Sequence, residues 1–178
     1  GNSKCVITKN LGATVQPASA TDNTEAAAGW YWQFNRKQGF KHDGTTRTPN
    51  SSWGYPVSES SDWMQANDPC AFELGSGWRI PTQSEWQSVD NSLNWGNYHQ
   101  AYDSDFKLHA AGRLSYDYGN LASRGENMLY WSSTQYDESM AYDINGWLSY
   151  SLTISVSYKS TAFPLRCIKD CTSPNAPT

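Results

Sequence analysis

The 178-residue chain fits one domain, large enough to bury most of its surface around a single core. Only 38% of the residues are apolar but 14% are aromatic, so bulky rings must supply much of that core. A net charge of -4 gives no basic surface for nucleic acid, and no apolar run is long enough to span a membrane. We expect a single domain over residues 1–170 and a linker-like tail over residues 171–178.

The first third of the chain predicts little regular structure. In "TEAAA", Thr24 or Asp22 is placed to cap a short helical turn, because its side-chain oxygen can accept from a free backbone N–H. The aromatic run from Trp30 to Phe34 predicts a buried strand. Residues 39–61 are rich in Gly, Ser, Thr, Asn and Pro without a sustained period, which predicts a long loop.

The clearest local signal is "GWRIPTQSEWQSV", residues 77–89. Thr82 and Glu85 have the spacing of a capping box, so a helix should begin at Gln83. Trp86 and Val89 then share its inward face. Glu85 could instead be a catalytic acid, but its capping role explains the residue completely and is favoured.

The second half of the chain predicts loops and short strands. "NSLNWGNYHQAYDSDF" resembles a polar aromatic loop, and the segment after it has short strands between turns at Gly112, Gly119 and Gly125. From Trp147 to Tyr158, apolar and polar residues alternate, which is typical of one strand with a buried face. Twelve residues exceed the usual strand length, however, and Asn145-Gly146 or the serines could turn the chain.

No motif predicts catalysis or a cofactor. The histidines His42, His99 and His109 form no zinc-binding pair, and His109 is more readily explained as a packed, hydrogen-bonded side chain. Asp103 and Asp105 alternate as in a calcium loop, but the glycine and closing glutamate of such a loop are missing. We therefore expect no enzyme activity, no metal site and no cofactor.

Four cysteines are compatible with two disulfides and an oxidising compartment, although their order permits three pairings. Zinc is the rival explanation. It is disfavoured because the spacings are wide apart from Cys167 to Cys171, and neither of these has a nearby histidine.

A series of blocks in fixed order resembles one known family. The blocks are "NLGAT", "GWYWQFNRKQGF", "SDWMQANDPC", "GWRIPTQSEW", "LHAAG", "YWSSTQYD" and "AFPLRCIKD". Together they resemble the Fibrobacter succinogenes major paralogous domain family of secreted bacterial proteins, over roughly residues 11–170. The resemblance implies an α+β, C-type-lectin-like fold with a twisted antiparallel sheet, one or two helices and long ordered loops. It also implies a secreted or cell-surface location.

The same resemblance implies a disulfide pairing and a location for binding. Cys70 would pair with Cys167, which leaves Cys5 for Cys171. In lectin-like proteins diversified by retroelements, the variable residues lie just before the closing strand, here residues 136–161. The family pattern favours a strand near Tyr142–Ile144, a turn over about 145–151 and a second strand before the closing one.

The candidate ligand-binding residues follow from that location. Tyr and Trp offer large contact areas with little rotamer entropy to lose, and Ser and Asn adapt their hydrogen bonds. The set is Tyr136, Asp137, Asp143, Asn145, Trp147, Ser149, Tyr150, Leu152, Ser155, Ser157, Tyr158 and Thr161. Ile144, Phe163 and Leu165 are expected to hold the sheet.

The sequence thus predicts a recognition module that binds a protein or glycan without catalysis. A structural or adhesin-tip module, in which the same surface is buried against a neighbouring subunit, is the alternative. A third hypothesis is an oxidase like the formylglycine-generating enzymes, but Cys167 and Cys171 are better explained as structural partners. The oligomeric state is left open.

Overall fold

A computed structural model describes residues 3–147 and 151–171, and Ser149 and Tyr150 of the predicted set lie outside the described residues. The described part is α+β, as predicted. Its helices are α1 (Glu25–Ala28), α2 (Pro69–Leu74), α3 (Gln83–Leu93) and α4 (Tyr98–Asp103), with a 3-10 turn at Gln65–Asn67. Its strands are β1 (Lys4–Val6), β2 (Tyr31–Gln33), β3 (Gly39–His42), β4 (Arg47–Thr48), β5 (Arg113–Leu114), β6 (Leu121–Ala122), β7 (Asn127–Gln135), β8 (Met140–Trp147), β9 (Thr153–Tyr158), β10 (Ala162–Phe163) and β11 (Ile168–Asp170).

The strands form three antiparallel sheets. One has the order β4-β3-β2-β10-β5-β6, and a second has the order β7-β8-β9. The third pairs β1 with β11 and so joins the two ends of the described chain. Strand β10 follows β9 after only three residues, so the chain passes directly from the second sheet into the centre of the first.

Local signals predicted several elements correctly. Thr24 caps α1 by accepting from the Ala27 N–H at 3.3 Å. Helix α3 begins at Gln83 with both bonds of the capping box: the Glu85 N–H donates to the Thr82 hydroxyl at 3.2 Å, and the Thr82 N–H donates to Glu85 at 2.9 Å. The buried aromatic strand is β2, whose three residues all lie in the interior.

Two predicted loops contain regular structure. Residues 39–61 begin with β3 and β4, because Gly39 and Phe40 pair with Trp32 and Tyr31 of β2. The predicted loop after α3 contains helix α4, which Asn97 caps by accepting from the Gln100 N–H at 3.1 Å. In both cases the short element has no periodic pattern of its own and depends on its neighbours.

The long alternating segment is divided between two strands. Strand β8 is longer than predicted, since Asn145 and Gly146 pair with Leu129 and Met128 instead of forming a turn. Leu152 packs against Gly146, where a Cβ atom would lie only 2.9 Å from its side chain. Strand β8 thus continues to Trp147, and β9 begins at Thr153.

Aromatic residues supply the largest core cluster, as the composition predicts. Trp131 lies 4.3 Å from Phe163 and 5.7 Å from Phe34, measured between ring centroids. Ile144, Phe163 and Leu165 are all buried, which agrees with their predicted role in holding the sheet. No helix within the described ranges is long and apolar enough to cross a membrane.

Both disulfides have the pairing that the family resemblance implied. Cys70 bonds to Cys167 inside the core, where both residues are fully buried. Cys5 bonds to Cys171 next to the β1–β11 pair. These crosslinks fit an extracellular or otherwise oxidising environment.

Candidate functional site

A groove of about 330 Å³ lies where the β7-β8-β9 sheet meets the six-stranded sheet. Asn145 of β8 and Ser157 and Tyr158 of β9 line one side. Arg113 of β5 and Tyr116, in the loop after β5, line the other side. The groove therefore collects residues that are far apart in sequence and come from both sheets.

A row of exposed tyrosines borders this groove. The Tyr116 ring lies 5.2 Å from Tyr158 on one side and 5.9 Å from Tyr55 on the other, between centroids. Their exposed fractions are 42% for Tyr116, 52% for Tyr158 and 60% for Tyr55. Such rings combine a large apolar face with a hydroxyl group, so the row can contact a ligand through both. We call Tyr55, Tyr116 and Tyr158 the tyrosine row.

The groove also carries polar groups, and a buried carboxyl lies beside them. Asn145 and Ser157 are half-buried, and their amide and hydroxyl can both donate and accept hydrogen bonds. Asp143 lies behind them with no exposed surface. Burial raises the pKa of Asp143 to about 7, against the opposing effects of the Ser157 hydroxyl and the positive charge of Arg113. This carboxyl is therefore part neutral and part charged near neutral pH.

Three predicted binding residues are buried. Asp143 has no exposed surface because the sheet turns that face of β8 inward, opposite Trp131. Leu152 is buried because it packs over Gly146. Thr161 is also buried, at 5% exposure, although it reaches the groove wall. Asp143 and Leu152 are therefore removed from the set of residues that a partner could touch.

The exposed candidates fall at opposite ends of the β8–β9 pair. Trp147, which is 46% exposed, is the last residue of β8. Tyr158 pairs with Met140, the first residue of β8. Met140 and Trp147 are seven residue steps apart along β8, which is about 23 Å at the usual rise per residue. Trp147 and Tyr158 thus do not form one patch, and the groove contains only Tyr158 of this pair.

Tyr136 and Asp137 lie in the turn between β7 and β8. The Tyr136 ring packs edge-on against Tyr142 with a centroid separation of 5.5 Å. The Asp137 carboxylate accepts from the backbone N–H groups of Ser139 and Met140, both at 2.8 Å, and these bonds lower its pKa. Asp137 therefore shapes its own turn. Ser155, the remaining candidate, is half-buried on β9.

Tyr55, Tyr116 and Arg113 were not predicted as site residues. They lie outside residues 136–161. The pairing of β10 with β5 brings Arg113 and Tyr116 to the groove wall, and Tyr55 lies beside the groove through its contact with Tyr116. The tyrosines in "LSYDYG" and "WGYP" were the available signal, since aromatic residues in Gly- and Pro-marked turns are often exposed.

Other residues considered for chemistry have structural environments. Arg79 forms a double hydrogen bond with Glu85, at 2.7 and 2.6 Å, in addition to the helix cap. His109 is buried as predicted, and burial lowers its pKa to about 3, so its ring is neutral. Its predicted hydrogen bonding is wrong for the ring, whose nitrogens have no partner among the described residues. Within residues 3–147 and 151–171, no group of three or more His, Cys, Asp or Glu side chains is arranged to hold a metal ion.

Comparisons with protein-family models, curated proteins and solved structures give no match to this chain. The family resemblance drawn from the sequence blocks therefore stays a prediction. The site must be interpreted from its own geometry.

Proposed function

We propose that the chain is a non-catalytic recognition module with a C-type-lectin-like fold, which binds a protein or glycan ligand at the groove. The tyrosine row is the observation that carries this proposal. All three tyrosines are more than two-fifths exposed; Tyr116 and Tyr158 line a recess that also contains Asn145 and Ser157, and Tyr55 extends the row beyond it. This combination of rigid aromatic area with adaptable polar groups is typical of binding surfaces.

The tyrosine row is packed less fully than the aromatic residues of the core. Core aromatics of this chain pack on several sides, as Trp131 does between Phe34 and Phe163. Tyr116 instead contacts a tyrosine on each side and remains 42% exposed. An exposed apolar cluster on a folded domain usually marks a contact with another molecule.

The disulfides support a secreted or cell-surface location for this module. Both cysteine pairs form disulfides. Because each crosslink closes a long loop, reduction in a reducing compartment would remove a large contribution to stability. Diversification by a retroelement belongs to the same proposal. Its signature would be copies of the gene that differ at Asn145, Ser157 and Tyr158 while the buried positions of β8 and β9 stay constant.

A glycan array and a capture experiment with defined surface proteins test the proposal. The probes are the wild-type chain, Tyr116→Ala, Tyr158→Ala and the matched control Tyr118→Ala. Tyr118 is 73% exposed and does not line the groove, so its loss should leave binding unchanged. We expect the two groove variants to weaken binding by tenfold or more while the melting temperature falls by no more than about 4 °C.

Trp147→Ala tests the other end of the sheet. If Trp147→Ala abolishes binding while Tyr116→Ala and Tyr158→Ala do not, recognition lies at the β8–β9 loop and the groove is the wrong site. If none of the variants affects binding, or no ligand binds the wild type, the recognition proposal fails.

A further inference from the structure

Strand β9 leaves one edge of its sheet unpaired. In the order β7-β8-β9 it is a terminal strand, and it pairs with β8 from Thr153 to Tyr158. Edge strands present a row of backbone N–H and C=O groups that a further strand can join. Which groups of β9 face outward can be determined from the hydrogen-bond pattern.

The register fixes the direction of each backbone group. Just past the end of β9, the Lys159 N–H donates to the Ser139 carbonyl at 2.9 Å, so these two residues form a hydrogen-bonded pair. In an antiparallel ladder, hydrogen-bonded pairs alternate with non-hydrogen-bonded pairs. The backbone N–H and C=O groups of Ser157 and Ser155 therefore face β8. The backbone groups of Ile154, Val156 and Tyr158 therefore point to the free edge.

One further bond agrees with this assignment. The Tyr158 carbonyl accepts from the Thr161 N–H at 2.8 Å, so it points away from β8. For Ile154 and Val156, no such partner is found among the described residues. Two N–H groups and two carbonyls thus remain available along the edge.

The free edge borders the groove. Val156 and Tyr158, which have outward backbone groups, both line it, opposite Tyr116 and Asp117. The sequence of β9, "TISVSY", contains no proline and no charged residue of the kind that usually protects an edge. Nothing in the strand itself therefore prevents a further strand from pairing there.

We propose that the groove binds an extended segment of a partner polypeptide, which adds to β9 as a fourth strand of the β7-β8-β9 sheet. This rests on the proposed recognition function and selects a peptide over a glycan as the ligand. Backbone hydrogen bonds to Ile154 and Val156 supply the pairing, and the tyrosine row contacts the side chains of the segment.

The surroundings of the edge indicate what kind of segment fits. The groove is lined by one basic side chain, Arg113, and one acidic side chain, Asp117, so a segment of low net charge is complementary. A second copy of the chain fits less well. Contact between Tyr116 and Tyr158 holds the β5–β6 loop against the end of β9, which hinders two whole domains from meeting edge to edge.

Selection from a phage-displayed library of random 12-residue peptides tests this inference. The wild-type chain is the target, and Val156→Pro is the counter-target. Proline at position 156 removes an outward N–H without removing a bond to β8, so the sheet should survive. We expect enriched peptides to bind Val156→Pro at least tenfold more weakly than wild type, at similar melting temperature.

A scan of N-methylated versions of one enriched peptide provides a measurement that does not depend on the variant folding. Methylation should abolish binding at alternate positions and leave it nearly unchanged between them, because only every second amide faces β9. Hydrogen exchange of the complex should show new protection at Ile154 and Val156. Equal sensitivity at all positions, or protection elsewhere, would overturn the inference.

The outcomes separate this inference from the recognition function. If peptides or other ligands lose affinity with Tyr158→Ala but not with Val156→Pro, the groove recognises its ligand and strand addition is wrong. Failure to enrich any peptide while a glycan binds the groove has the same meaning. If exchange protection at Ile154 and Val156 instead appears with rising protein concentration alone, the occupant is a second copy of the chain.

Discussion

Tyr116 and Tyr158 pack against each other with ring centroids 5.2 Å apart, although one follows β5 of the six-stranded sheet and the other ends β9 of the three-stranded sheet. The contact joins the two sheets at the rim of the groove. Both rings remain half-exposed, so the pair is a surface connection and not part of the core.

This contact should be measurable as a small coupling energy. Tyr116→Ala and Tyr158→Ala should each lower the free energy of unfolding by about 1 kcal/mol or less, because both residues are only about half-buried. In a double-mutant cycle the coupling should be about 0.5–1 kcal/mol. Urea denaturation of the four proteins measures it, with Tyr118→Ala as the uncoupled control. A coupling of zero would mean that the rings do not touch in solution.

The groove illustrates what sequence reasoning could and could not predict. Helix α3 was predictable because Thr82 and Glu85 are three residues apart and satisfy each other locally. Tyr116 could not be assigned to the site of Tyr158, because only the pairing of β5 with β10 brings them together. Long-range contacts of this kind leave no local signal.

The alternation in β8 and β9 predicted strands but not their burial. A period of two says that successive residues lie on opposite faces, and it does not say which face is covered. On β8 both faces are covered in the middle, so Asp143 and Ile144 are adjacent and both buried. Trp131 and the groove residues cover the face that carries Asp143, and the core cluster around Trp86 covers the face that carries Ile144.

The buried carboxyl of Asp143 should make stability depend on pH. Its pKa is about 7 in the folded chain and about 3.8 when unfolded, so the folded state binds more protons between these values. Stability should therefore fall as pH rises from about 4 to 7. Asp143→Asn removes this cost and should raise the free energy of unfolding by roughly 2–4 kcal/mol at pH 8, with little effect at pH 4.

Thermal and urea unfolding of Asp143→Asn at pH 4, 6 and 8 check this expectation. Asp105→Asn is the matched control, since it makes the same chemical change at an exposed position. If Asp143→Asn destabilises the chain equally at all three pH values, the carboxylate is satisfied in the folded state and its pKa is not raised.

The two disulfides should contribute unequally to stability. Both close long loops, of 97 residues for Cys70–Cys167 and 166 residues for Cys5–Cys171, so the entropic contributions are similar at about 4–5 kcal/mol. Cys70 and Cys167 are also fully buried in the aromatic core. Replacing that pair by alanine should therefore cost about 1–2 kcal/mol more than replacing Cys5 and Cys171, because packing is lost as well.

Melting temperatures of the two double-alanine variants test this order. A serine version of each pair serves as a control for polarity. At positions 70 and 167, serine should lower the melting temperature more than alanine does, because an unpaired buried hydroxyl is costly. At positions 5 and 171, the serine and alanine variants should melt at nearly the same temperature. If instead the Cys5–Cys171 replacement lowers the melting temperature more, the entropy of closing the longer loop outweighs the packing of the buried pair.

Glu85 should protect the fold against acid. Burial alone would raise its pKa, but the hydrogen bonds from Arg79 and from the Thr82 N–H outweigh burial and lower the pKa to about 2. The unfolded value is 4.5, so the stabilisation is complete above pH 4.5 and is lost as pH falls toward 2. Glu85→Gln should lower the free energy of unfolding by about 1–3 kcal/mol at pH 7 and by almost nothing near pH 2, as urea unfolding at the two pH values would measure.

Glu73→Gln is the control, because Glu73 is exposed and forms no ion pair with any described residue. If the cost of Glu85→Gln were the same at pH 2 and pH 7, the neutral capping bonds would suffice and the charge of Glu85 would not contribute.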